Sequence, residues 1–219
     1  MANQQINQYT LERLSLGDDD FFDIDYWNGS AFQTAKIKGS VIKSSTSPGI
    51  WSQTGDGPLL ANSTTETTIS GPGVGSLTIP ADTWFKGQSF ELRLWGEISA
   101  LQSDIINISI NNGPTKVVDT GGVTFLAIGG GGAMIPFEVI ICMTCRDIGQ
   151  PGIAKLHYSG QVNTRANSGG QYRSYGFNVL NDFNFDTTIN QVWDITGKWN
   201  NADPDNQVRI LNANLKRTF

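Results

Sequence analysis

The chain is poor in the residues that most chemistry needs. Its 219 residues hold one histidine, His157, and two cysteines, Cys142 and Cys145. A Ser-His-Asp or Cys-His arrangement would have to use that single histidine. It sits in Lys155-Leu-His-Tyr-Ser, where strand alternation puts Lys155, His157 and Ser159 toward solvent and Leu156 and Tyr158 on the other face. A G-x-S-x-G nucleophile elbow is absent. Two cysteines cannot form a disulfide framework, and a reducing site of synthesis follows as the expectation. No stretch approaches the ~20 apolar residues of a membrane-spanning helix. The opening Met1-Ala-Asn-Gln-Gln-Ile-Asn-Gln has neither the basic nor the apolar part of a secretory signal. A soluble product of a cytoplasm is therefore expected, with no membrane insertion. Positive charge is also scarce: 15 Lys and Arg stand against 20 Asp and Glu, a formal net charge of -5. The basic residues are scattered apart from Lys216-Arg217, so a nucleic-acid backbone is excluded as the main partner.

Four clusters look chemical and have plainer explanations. Cys142-Met-Thr-Cys145 has C-x-x-C spacing but lies in a strand pattern, where positions three apart face opposite ways and cannot share a metal ion. The carboxylates of Asp18-Asp19-Asp20-Phe-Phe-Asp23-Ile-Asp25 lack the spacing and the glycine of an EF-hand loop, and read as a solvated strand edge. Gly129 to Gly132 leads into a strand, not into the helix N-terminus that a phosphate cradle needs. Glu91, Glu97, Glu138 and Asp194 read as outward strand residues, and the separation that glycoside hydrolysis requires is a tertiary property. No catalytic residue, cofactor or metal is expected.

What the chain does have is alternation. In Gln88–Ile98, Phe90, Leu92, Leu94 and Ile98 fall on one face of a strand, and Glu91, Arg93, Trp95 and Glu97 on the other. Similar runs are read at 76–79, 104–111, 115–118, 123–127, 133–146, 152–162, 172–179, 187–199 and 207–215. Asn111-Asn112-Gly113-Pro114, Asp119-Thr120-Gly121-Gly122 and Ser168-Gly169-Gly170 supply turns between them. Many strands and 25 glycines, with no helical segment of about ten or more residues between the strands, predict an all-β fold: an antiparallel sandwich or jelly roll over residues 71–219. Residues 1–70 read as an extended arm. Phe22, Ile24 and Tyr26 alternate with Asp23 and Asp25, Asn28-Gly29 offers a turn, and Phe32 to Ile37 returns, which is a small hairpin. A Ser/Thr/Gly/Pro stretch from Lys43 to Thr68, with an Ile50-Trp51 island, reads as linker.

An isolated hairpin is marginal in water. Phe21, Phe22, Tyr26, Trp27 and Phe32, together with Trp51, are therefore expected to bury against a partner or a sister subunit. Ile140 and Cys142 make the 133–146 strand apolar on both faces, and Trp95 and Ile105 also point away from their core-facing neighbours. Trp95, Ile105 and Ile140 are accordingly expected at an interface between copies of the chain.

The C-terminal two-thirds resembles a family of β-rich virion proteins of tailed bacteriophages and some large DNA viruses. The similarity rests on Gly75-Ser-Leu-Thr-Ile-Pro-Ala-Asp-Thr-Trp-Phe-Lys-Gly-Gln-Ser-Phe, on Leu94-Trp-Gly-Glu-Ile-Ser-Ala, on the run from Gly176 to Trp199 and on Asp205 to Leu215. Asp18 to Ser40 resembles short β modules of phage fibre and neck proteins. The resemblance implies a structural protein of a virion, a fibre or decoration component. Its arm would anchor to other virion proteins, and its jelly roll would form a homotrimer. A host-surface glycan is a candidate ligand, with loop 163–171 as the contact region. A pentameric capsid-vertex protein, a free carbohydrate-binding module and a hydrolase are the alternatives.

Overall fold

The computed structural model describes residues 21–27, 32–38, 49–100, 104–124, 133–165 and 172–219. It divides into a unit up to Pro48 and a larger one from Gly49 to Phe219. The first contributes a hairpin, β1 (Phe21–Trp27) and β2 (Phe32–Lys38), antiparallel, with Phe22 opposite Ile37 and Trp27 opposite Phe32. The second holds β3 (Gly49–Gln53), β4 (Leu60–Ala61), β5 (Thr67–Thr68), β6 (Gly73–Gly75), β7 (Thr78–Ile79), β8 (Ser89–Ser99), β9 (Ile105–Asn112) and β10 (Thr115–Asp119). It continues through β11 (Val123–Thr124), β12 (Ile135–Asp147), β13 (Lys155–Arg165), β14 (Tyr172–Asn181), β15 (Gln191–Trp199) and β16 (Gln207–Arg217). No helix occurs among the described residues.

Two antiparallel sheets form a sandwich. The larger runs β14-β13-β12-β8-β16-β3-β6, with β4 on β16; the smaller runs β10-β9-β15-β5, with β11 on β9 and β7 on β15. Alternation decides which residues meet between them. From the larger sheet Leu92, Leu94, Val139, Ile141, Leu156 and Val162 point inward; Ile106, Ile108, Ile110, Ile195 and Trp199 meet them from the smaller one. The Phe90 and Trp193 rings join the layers edge to face at 5.8 Å. At the other side of the sandwich the Tyr158 hydroxyl accepts a hydrogen bond from the Asp119 amide at 3.2 Å.

The sandwich begins earlier than the composition suggested. Trp51, expected in a linker and at a partner interface, is buried in the core of its own chain, as are Leu60 and Ile69. The reason lies in pairing: β3 docks on β16, with Trp51 opposite Leu215, and β4 pairs with the start of the same strand. Ser, Thr, Gly and Pro between these apolar residues form the bends that let one crossing strip place three side chains in the core. The boundary therefore falls at Gly49 and not near Gly71.

Candidate interaction surfaces

The outer face of the larger sheet is built by the strand positions opposite the core. Register aligns Asn212, Trp95, Glu138, Asn163 and Ser174 in one row across five strands. The next row is Asn214, Arg93, Ile140, Gln161 and Gly176, and the third Lys216, Glu91, Cys142, Ser159 and Asn178. Trp95 and Ile140 are diagonal neighbours, both half-buried. Charged groups surround them in satisfied pairs. Glu91 accepts from Arg93 at 2.7 Å and from Lys216 at 2.8 Å, Glu97 from Arg209 at 2.5 Å, and Glu138 from Asn163 at 3.2 Å. Such a face offers a flat indole and a ladder of amides, suited to stacking and hydrogen bonding.

The Lys216 hydrogen bond, then the Arg93 one, holds the Glu91 carboxyl below its ordinary value of 4.5 against some desolvation. A depressed carboxylate stabilises the fold fully above its unfolded pKa, and that share is lost as pH falls through the folded value. Glu91→Gln is therefore expected to flatten the fall in thermal midpoint below about pH 4.5 while lowering the midpoint at neutral pH. Differential scanning calorimetry across that range checks both signs.

Cys142 is exposed and Cys145 buried, as their strand spacing requires. Burial pushes the Cys145 thiol up to about 11, and the Cys142 thiol is also raised, chiefly by desolvation, so both are poor nucleophiles near neutrality. His157 lies on the outer face, its Nε2 2.6 Å from Asn178 Oδ1. Among the described residues no three His, Cys, Asp or Glu side chains converge to hold a metal ion.

The expected interface residues are not one patch. Trp95 and Ile140 share the outer face of the larger sheet; Ile105 stands on the outer face of the smaller one, opposite Thr124. Trp51 is in the core. Phe21, Phe22, Tyr26, Trp27 and Phe32 occupy the hairpin strands, and their side chains lie outside what the structure describes. The same holds for residues 166–171 of the proposed contact loop and for Gly129 to Gly132, whereas Asn163 to Arg165 belong to β13.

A second apolar surface was not anticipated. At the end of the sandwich where β8 begins and β12 finishes, the loops and the C-terminus are stitched together by backbone hydrogen bonds. Gly87 donates to Cys145 at 2.8 Å, Gly152 to Asp182 at 2.9 Å, Thr187 to Gly149 at 2.9 Å and Ser89 to Phe219 at 3.0 Å. These loops display Ile153, Phe183 and Phe219 with exposures of 64%, 79% and 72%, beside the exposed Phe85, Ile148 and Ile189. Phe85 packs on Phe219 at 6.4 Å under the Arg217 guanidinium, and Asp147 accepts from Lys86 at 2.5 Å. The strand expected over 152–162 begins only at Lys155, so Ile153, read as part of it, stands in the turn after Pro151 and is left in water. No protein-family model, curated protein or solved structure matches the chain.

Proposed function

We propose that the chain is a structural subunit of a virus particle, a fibre or decoration component that works by association and not by chemistry. The observation that supports this reading best is the apolar end: exposed Phe and Ile side chains concentrated on loops that backbone hydrogen bonds hold in place. Each large apolar side chain kept in water forgoes roughly 1.5–3 kcal/mol of burial, so a rigid group of them favours contact with another protein. The resemblance to virion proteins supplies the setting. Residues up to Pro48 would anchor to the particle, and copies would meet through the sandwich.

Static light scattering on the full chain tests the association. A mass in multiples of three chains is expected and fits a fibre or decoration; multiples of five would move the reading to a capsid vertex. Phe183→Ser with Ile153→Ser is expected to lower the mass without lowering the thermal midpoint. A monomer at every concentration would overturn the proposal.

A further inference from the structure

We infer that the free edge of β14 is a pairing site for β14 of a second copy, joining two large sheets into one across a two-fold axis. Within the unit from Gly49, β14 is the only long strand at a sheet edge among the described residues: β6 at the opposite edge has three residues and β5 two. Of the other edge strands, β4, β7 and β11 have two residues each, and β10 is five residues long, carries Lys116 and Asp119, and is interrupted by a register shift between Lys116 and Val118. Those are the features by which a sheet edge avoids pairing. β14 is neither short nor interrupted. It runs ten residues in unbroken register with β13, contains no proline, and has one charge, Arg173.

The strand is also complementary to itself. A two-fold axis normal to the sheet keeps each face on its own side, so residues directly opposite must share a face and one residue must oppose itself. Ser174, Gly176 and Asn178 share the outer face; Tyr175 and Phe177 lie on the inner face, where they pack only partly against the core. With Gly176 on the axis, Tyr175 faces Phe177 twice, Ser174 faces Asn178 twice, and Arg173 faces Val179, not its own copy. Cross-strand aromatic pairs stabilise such a contact, and like charges directly opposite would oppose it. The contact uses surfaces other than the apolar end. It would double whatever ring that end builds, and it stands or falls separately.

The test is positional cross-linking in full-length protein carrying Cys142→Ser. Gly176→Cys is expected to give disulfide-linked dimers under mild oxidation, because opposed residues lie roughly 4.5–5.5 Å apart. Position 176 accepts a side chain: it is not in the left-handed region, and the nearest atom to an added Cβ is the Gly160 carbonyl oxygen at 3.8 Å. Ser174→Cys, whose counterpart sits four residues away at roughly 13 Å, is expected to stay uncross-linked. In parallel, S174K with N178K is expected to halve the solution mass, and mixing it with S174E/N178E to restore it. Cross-linking at 174 but not at 176, or a mass unchanged by the lysine pair, would overturn the inference, as would a wild-type monomer.

Discussion

A chain that starts at Gly71 is expected to lose cooperative thermal unfolding, whereas one that starts at Gly49 keeps it. The shorter chain lacks Trp51, Leu60 and Ile69, all buried in the core. Removing single buried side chains of this size costs roughly 2–5 kcal/mol each. Three such losses are comparable with the whole stability of a domain, about 5–15 kcal/mol. The polar side of the contact goes too. The Gln53 side chain donates to the Ile210 carbonyl at 3.1 Å and accepts from the Gly71 amide at 3.0 Å, and the Gly57 amide donates to the same carbonyl at 2.7 Å. Without this strip the Ile210 carbonyl and one edge of β16 are left open. Calorimetry on the two truncated chains gives the answer directly. If they melt within a few degrees of each other, the strip is a linker after all.

The second large effect is expected at Phe185. Phe185→Ala should destabilise the domain by roughly 3–5 kcal/mol, whereas Phe183→Ala, two residues away, should change stability by less than about 0.5 kcal/mol. Phe185 is fully buried and meets Trp84 edge to face at 4.9 Å; Trp84 in turn meets Phe90 at 5.3 Å and Trp193 at 6.1 Å. This four-ring group ties the 182–190 loop to both sheets, so truncation leaves a cavity that the rigid strand ends cannot close. Phe185→Leu is expected to recover most of the loss by refilling the volume. Chemical denaturation of the three variants is the check. Equal costs at 183 and 185 would mean that the aromatic group does not anchor the loop.

The two phenylalanines show where a sequence stops being readable. Asp182-Phe-Asn-Phe-Asp186 presents them identically: same neighbours, same spacing, no regular element around them. Only the position of Trp84, a hundred residues earlier, sends one inward and leaves the other in water. Trp51 makes the same point from the other side. Local composition marked it as linker because Ser, Thr, Gly and Pro surround it, and the strand that buries it, β16, lies at the far end of the chain. β16 itself carries a bulge between Ile210 and Asn212, so Val208 and Ile210 are buried on even positions and Ala213 and Leu215 on odd ones, with Leu211 exposed between them. A period-two reading cannot place that switch. Opposite it, Gly96 leaves room for the Arg209 carbonyl, which would come within 2.2 Å of a Cβ.

What the sequence determined by itself is the class of structure and the direction of its long strands' side chains. Alternation is set by neighbours along the chain, and in β8, β12 and β13 it is unbroken enough to name the buried face residue by residue. Which surfaces remain for partners was decided only by the tertiary structure. Exposure depends on what packs from distant segments, and an edge such as β14 is free only because no described strand comes to pair with it. Trp95 and Ile140 were legible because a strand's outer face follows from its inner one; Phe183, Ile153 and Phe219 were not, because loops and chain ends carry no period.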